Sequence, residues 1–366
     1  MIDIELLRKI DRIHPYPAKF TVDLAMEYVK KYTKEDDLVY DPFLGSGTTL
    51  LACKNLNRNG VGTDINFIAI LISKFKVLDL SKERIEHLKT FIETFEKSYK
   101  SGCESVSLFE YPSINHWFCD DSIKVLSYIK FMIDSLTDDS EKIFCKLVMS
   151  AIINSASNQE SDTRYAAVVK PKLNVDYVAN LFTKKFLSTL SICDEALSLS
   201  NTLCKESPLL YNSKKCTDVI KKESVDLILT SPPYPNTYDY YLYHKHRMNW
   251  LGYDVKFSMN EEIGSRREFS SLKRPKEKFD DDMSEILSSC NNTLKVGGHV
   301  VLVMGDGQIQ GEVYNAKENM IMICDKFNWK LIDYKFSYLD ETSRSFQKSY
   351  RTKGKKEHIL VFEKAE

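Results

Sequence analysis

DDLVYDPFLGSGTTLLACKNLNRNGVGTDIN, residues 36–66, holds the pattern that decides the fold. An apolar run (DDLVYD, 36–41) stops at a glycine-containing turn, and residues 48–57 follow with helical periodicity. A second apolar run begins at Gly60 and closes on Asp64. Strand, turn, helix and strand in such short order predict a parallel pair joined by a right-handed crossover. Gly45 and Gly47 leave the turn without side chains that would keep a ligand from the backbone. Thr48 and Thr49 open a helix whose first amides have no partner within the helix and attract negative charge. A glycine turn after a strand also serves purely structural connections. The acid at the end of the next strand, Asp64, about 17 residues on, is placed to bind two ribose hydroxyls and favours a nucleoside ligand. No G-K-[ST] follows the turn, which disfavours a P-loop phosphotransferase.

Outward from this unit the texture changes. From SKERIEHLKTFIETFEKSYK (81–100) through 121–136, 141–157 and 176–200, apolar residues recur at three and four spacing, a helical block that ends near the turn-forming KESP of 205–208. An α/β texture returns with KKCTDVI (214–220), VDLILT (225–230), VGGHVVLVMGD (296–306), WKLIDYKF (329–336) and HILVFE (358–363). Apolar runs at helix-length intervals predict a mostly parallel sheet, with the last two runs as an antiparallel pair at its edge. The expected organisation is one α/β catalytic domain, residues 1–79 and 206–366, interrupted by a helical insertion over 80–205.

Composition narrows the function class. Of 366 residues, 51 are Lys or Arg and 52 Asp or Glu, so any polyanion site must be local. Nine cysteines stand singly with no C-x-x-C or nearby His pair, which predicts reduced thiols and no metal site. The first residues, MIDIELLRKIDRIHPYP, contain no apolar signal region, and no stretch reaches the roughly 18 apolar residues of a membrane span. A soluble, cytoplasmic protein is expected.

The second informative string is TSPPY, 230–234, at the end of the VDLILT run. Ser231 offers a hydroxyl acceptor, the Pro232 carbonyl offers a second, and Pro232 and Pro233 stiffen the chain, while Tyr234 presents a ring on which a planar base could stack. Those groups suit an amine conjugated to a ring, whose lone pair localises only when its hydrogens are accepted and its position is fixed.

DPFLGSGTT, with HPYPAKF (14–20) before it and VGTDIN (61–66) and TSPPY after it, resembles the S-adenosylmethionine-dependent amino-methyltransferases of DNA found in restriction-modification systems. The resemblance covers the α/β portion. It implies a Rossmann-like methyltransferase fold, a mostly parallel seven-stranded sheet with an antiparallel edge strand. It also implies that Asp41, Phe43, Gly45, Gly47 and Thr48 line the methionine end of the cofactor, that Asp64 holds the ribose, and that Asp218 contacts the adenine amine. Lys19 becomes a partner for the methionine carboxylate. The catalytic set is Ser231, Pro232, Pro233 and Tyr234. Enzymes of the family acting on adenine N6 mostly carry Asp or Asn at the position of Ser231, whereas Ser is typical of cytosine N4 enzymes, so cytosine N4 is expected and adenine N6 is the alternative. An RNA amino-methyltransferase and a noncatalytic nucleic-acid-binding module are the more remote readings.

The expected partner is double-stranded DNA, with room for a cognate restriction endonuclease, and the target base must be flipped from the duplex. Tyr238 and Tyr240, in the aromatic and basic run after TSPPY, are expected at the base pocket, and Arg247 at a phosphate or in a structural ion pair. Arg266 and Arg267, Arg344, Lys348 and Arg351, and Arg164 in the polar segment 157–172 are candidate DNA contacts. The insertion is the expected seat of target recognition. Recognition sequence and oligomeric state are not encoded in any motif.

Overall fold

The computed structural model describes residues 2–170, 173–197, 205–338 and 355–366, and the chain divides into two compact units. Arg344, Lys348 and Arg351 lie outside the described residues.

The α/β unit is drawn from 16–73, 202–241 and 257–366. Its sheet contains β1 (Leu38–Asp41), β2 (Asn59–Asp64), β3 (Glu206–Leu210), β4 (Val225–Thr230), β5 (Leu294–Gly305), β6 (Trp329–Tyr338) and β7 (Lys356–Lys364), in the spatial order β6-β7-β5-β4-β1-β2-β3. Pairing is parallel from β3 through β2, β1 and β4 to β5, and β7 runs antiparallel to both β5 and β6. The expected edge pair is present, and the reversed strand is the one next to the edge. Side-chain alternation sorts the sheet residues onto two cores. Tyr40, Ile228, Val300, Leu302, Leu360 and Phe362 pack with the Glu277–Thr293 and Ala316–Asp325 helices. Their neighbours Val39, Leu227, Leu229, Val301, Val303 and Val361 pack with the Val22–Tyr32 and Thr48–Leu56 helices.

Chain order leaves β1 in one direction through β2 and β3, and in the other through β4 and β5. That reversal lies between β1 and β4, and a crevice opens above the carboxyl ends of the two strands. Asp41 ends β1 and Thr230 ends β4, so the two decisive strings of the sequence begin at the same place in the fold.

Two segments differ from the sequence expectation. KESP belongs to a strand, β3, which pairs in parallel with β2 and places Pro208 opposite Gly62. As an edge strand it tolerates a residue with no N–H to donate. KKCTDVI is no strand, because residues Ser213–Asp218 form a 3-10 turn whose start is capped by the Asn212 side chain.

The helical unit comprises 1–15, 74–201 and 242–256, so it takes in the N-terminal helix and most of the Tyr240–Leu251 helix beyond the expected 80–205. Phe95, Phe144, Phe182 and Phe186 are fully buried, and edge-to-face contacts join Phe95 to Phe182 at 5.0 Å and Phe144 to Phe186 at 4.9 Å. Ser81 and Asp138 cap the Lys82–Ser105 and Asp139–Ile152 helices. Lys76 and Asp11 form a buried ion pair at 2.6 Å. The polar segment after residue 157 contains an antiparallel hairpin of Gln159–Ser161 and Arg164–Ala167. No helix among the described residues is long and apolar enough to cross a membrane.

Candidate active site

Asp41 shows how the site is built. Its side chain is buried, with one oxygen accepting from Thr230 Oγ1 at 2.6 Å and the Phe43 amide at 3.1 Å, and the other from Thr49 Oγ1 at 2.6 Å. One carboxylate thus ties the end of β1 to the end of β4 and to the first turn of the next helix. Burial raises its pKa to about 6 against the lowering effect of those hydrogen bonds.

The turn that follows needs its glycines for different reasons. Gly45 adopts φ +50°, and a Cβ there would sit 3.2 Å from the Tyr16 ring. Gly47, at φ +76°, is the N-cap of the Thr48–Leu56 helix, which has no side-chain cap. A Cβ on Gly47 would fall 2.6 Å from Ser73 Oγ and 2.9 Å from Ser73 Cα, so this glycine answers to helix packing. Asp64, at the end of β2, accepts from the Gly45 amide at 2.8 Å and, on its other oxygen, from the Asn66 amide at 2.8 Å. Burial brings its pKa to about 6.

These groups surround a cleft of about 930 Å³, open mouth included. Lys19, Asp41, Phe43, Gly45, Thr48, Asp64, Ser231, Pro233 and Tyr240 all line it. The tertiary structure adds Tyr16 and Phe20 from the HPYPAKF segment, Asn66, Asn212, Ser213, Glu261, Glu262 and Ile286. The Tyr16 and Tyr240 rings stack with centroids 5.9 Å apart and planes 21° apart. Glu262 accepts from the amides of Tyr240 at 2.7 Å and Tyr241 at 2.9 Å, and burial, reinforced by Asp239 and Asp64, raises its pKa to about 8. The cleft therefore joins a glycine turn, a strand-end acid, a serine hydroxyl and an aromatic pair.

A family model described as DNA methylase matches residues 5–75 and 225–366, more than half of the sequence. The chain belongs to the DNA methylase family. Its members are S-adenosylmethionine-dependent methyltransferases. Among curated relatives, the type II methyltransferase M.MvaI of Kocuria varians is 28% identical over 238 residues, covering 61% of this chain and 52% of the relative. The type II methyltransferase M.MjaII of Methanocaldococcus jannaschii is 21% identical over 406 aligned positions, covering 87% of this chain and 76% of the relative. This chain thus spans about half the length of the Kocuria protein. Among solved structures, the rRNA methyltransferase aviRa of Streptomyces viridochromogenes aligns over 99% of this chain and 93% of its own at 11% identity, with a TM-score of 0.41.

Several residues singled out in this DNA methylase by sequence do not reach the cleft. Asp218 is exposed and accepts from the Tyr211 hydroxyl at 2.7 Å, while Asn212 and Ser213, at the start of the same turn, face the cleft. The 3-10 turn carries Asp218 away. Gly47 faces Ser73. Pro232 is buried, and Tyr234 is turned beneath Gly305 of β5 with its hydroxyl donating to Glu357. The alternating direction of successive residues sends Ser231 and Pro233 one way and Pro232 and Tyr234 the other. Tyr240, not Tyr234, presents its ring to the cleft. Tyr238 is buried with its ring 5.7 Å from that of Tyr240.

Of the basic candidates, Arg247 is fully buried within the helical unit, donating to the carbonyls of Ser150 and Tyr243 and pairing with Asp162. It is a structural ion pair, and a phosphate contact is excluded by its burial. Arg164 is exposed on the hairpin and pairs with Glu160 at 2.8 Å. Arg266 and Arg267 lie at the start of a single π-helical turn, and the Arg267 amide donates to Asp239 at 2.9 Å. Among the described residues, no group of three His, Cys, Asp or Glu side chains is placed to hold a metal ion.

Sequence reading missed Tyr16, Asn212 and Glu262. Tyr16 was within the quoted HPYPAKF string. Glu262 lies in NEEIGS, which reads as a solvated acidic face, and nothing local marks it as a cleft residue.

Proposed function

We propose that this DNA methylase transfers the methyl group of S-adenosylmethionine to the exocyclic N4 amine of a cytosine flipped out of duplex DNA, as the modification enzyme of a restriction-modification system. One observation carries the reading: Ser231 lines the same cleft as the Gly45 turn and Asp64, at the point where strand order reverses. The cleft fits the cofactor. Gly45 provides a cradle that a Cβ would crowd, the half-buried Asp64 carboxylate suits paired ribose hydroxyls, and Phe20, Phe43 and Ile286 supply apolar walls. When bound, S-adenosylmethionine supplies an activated methyl group on a sulfonium.

The chain's own residues do the rest. Ser231 accepts a hydrogen of the target amine, so that the nitrogen lone pair leaves conjugation with the ring and can attack. Pro233 stiffens the turn that carries it, and Tyr240, stacked on Tyr16, gives the base an aromatic face. A serine is a weak base, and none stronger is needed, because the methylated amine is acidic enough to lose its proton to water. Positioning supplies most of the acceleration. Cytosine rather than adenine follows from Ser in place of Asp or Asn before Pro-Pro.

Target recognition is assigned to the helical unit. Its hairpin carries the exposed Arg164, and Lys245 stands 5.5 Å over the Tyr165 ring, a pairing suited to phosphate and base contacts.

The test is expression in a host without DNA methylation, followed by digestion of genomic DNA to nucleosides and mass spectrometry, with Ser231→Ala as control. N4-methylcytosine that disappears in the variant is expected. N6-methyladenine would overturn the base assignment, and no methylated base would overturn the DNA reading for the chain on its own.

A further inference from the structure

The cleft has more carboxylates than ammonium groups on its walls. Asp41, Asp64, Glu261 and Glu262 line it, with Lys19 the lining ammonium among the described residues. Three of the four acids have assigned work in the fold. Asp41 is consumed by Thr49, Thr230 and Phe43, Asp64 holds the glycine turn, and Glu261 accepts from Asn212 at 2.6 Å.

Glu262 differs. Each of its oxygens takes one amide, Tyr240 at 2.7 Å and Tyr241 at 2.9 Å, and these two bonds fix the plane of the carboxyl beside the Tyr16–Tyr240 stack. A carboxylate oxygen can accept more than one hydrogen bond, so acceptor capacity remains on both atoms. The largest charge effects on Glu262 come from the carboxylates of Asp239 and Asp64, with Lys19 lining the same cleft and Arg267 acting on the neighbouring Tyr241, and the phenols that feel Glu262 are Tyr16 and Tyr241. The two amides favour the anion, but burial and the like charges outweigh them, and an arriving cation would tip the balance back.

We propose that Glu262 is the residue by which the cleft reads the positive charge of S-adenosylmethionine, its oriented carboxylate facing the sulfonium and ammonium end of the cofactor. This inference rests on the cofactor reading above. The cofactor carries a net positive charge, and the demethylated product, S-adenosylhomocysteine, does not. Loss of the methyl therefore removes the charge that Glu262 answers, which favours exchange of product for fresh cofactor. With a pKa of about 8, Glu262 is largely protonated at neutral pH in the empty cleft. Arrival of a cation favours the ionised form, so binding releases protons to solvent. Asp64, with its pKa of about 6, is already mostly ionised there and contributes little to that release.

The test is isothermal titration calorimetry of the full chain with S-adenosylmethionine, S-adenosylhomocysteine and methylthioadenosine, for wild type, Glu262→Gln and Glu262→Asp. Gln keeps a carbonyl acceptor for one amide. Titration at pH 7 in two buffers of different ionisation enthalpy counts the protons released. For Glu262→Gln the expected result is a loss of roughly tenfold in affinity for S-adenosylmethionine, unchanged affinity for methylthioadenosine, and a smaller proton release. Loss for S-adenosylmethionine alone supports the proposal and assigns Glu262 to the sulfonium, whereas equal loss for S-adenosylhomocysteine places Glu262 at the ammonium and overturns its reading of the charge lost with the methyl. Glu262→Asp should recover part of the loss. Equal weakening of all three ligands, or of none, overturns the proposal, the first by making Glu262 structural. A wild type that binds none of the three refutes the cofactor reading instead.

Discussion

Thr230 Oγ1 donates to the Asp41 carboxylate at 2.6 Å, joining the last residue of β4 to the last residue of β1 beneath the cleft. The bond sets the distance between the turn that would hold the cofactor and the turn that carries Ser231. Thr230→Val preserves shape and deletes the donor. The expected cost is about 1–3 kcal/mol of stability, since a buried acceptor loses a partner, together with slower methyl transfer. Urea unfolding and single-turnover rates measure the two effects, and an unchanged stability would show that the tie contributes nothing.

Ser231→Ala is expected to lower methyl transfer by about 10²-fold or more, as removal of one positioned hydrogen-bonding group does elsewhere, with cofactor affinity preserved. Rate and calorimetric affinity measured on the same preparation decide it. A parallel fall in both would place Ser231 in cofactor binding.

The two glycines of the turn should separate. Gly47→Ala combines a left-handed φ with backbone-close contact to Ser73, and is expected to cost roughly 2–4 kcal/mol of stability. Gly45→Ala meets only the edge of the Tyr16 ring, at 3.2 Å, and should cost about 1 kcal/mol while weakening cofactor binding several-fold. Melting temperatures with and without S-adenosylmethionine distinguish them.

Asp64 gives a pH signature. Burial raises its folded pKa from 3.8 to about 6, so the folded state binds the extra proton. Its contribution to stability is therefore present at low pH and is lost as pH rises through about 6. Relative to wild type, Asp64→Asn should gain stability between pH 4.5 and pH 7.5 in urea unfolding. A drift in the opposite direction would mean that the amides of Gly45 and Asn66 outweigh burial.

Arg247→Met is expected to destabilise the helical unit by about 1–3 kcal/mol, because the Ser150 carbonyl loses its side-chain donor and Asp162, still held by Asn154, loses its ion-pair partner. The slope of DNA affinity against salt should stay the same. A shallower slope would restore the phosphate contact that its burial argues against.

The sequence by itself determined the fold class, the parallel strand-helix-strand core and the position of both chemical strings, because those depend on local periodicity and on turns that only certain residues can make. Gly45, Asp64 and Ser231 were legible for that reason. Tertiary structure alone decided that KESP is an edge strand, that Asp218 leaves the cleft while Asn212 and Ser213 enter it, that Tyr240 replaces Tyr234 as its aromatic wall, and that Glu262 lines the same cleft. Each of these turns on which way a side chain faces and what covers it. Direction and cover arise from contacts between segments as distant as Tyr16 and Tyr240, where the chain folds back on itself and no local pattern records the meeting.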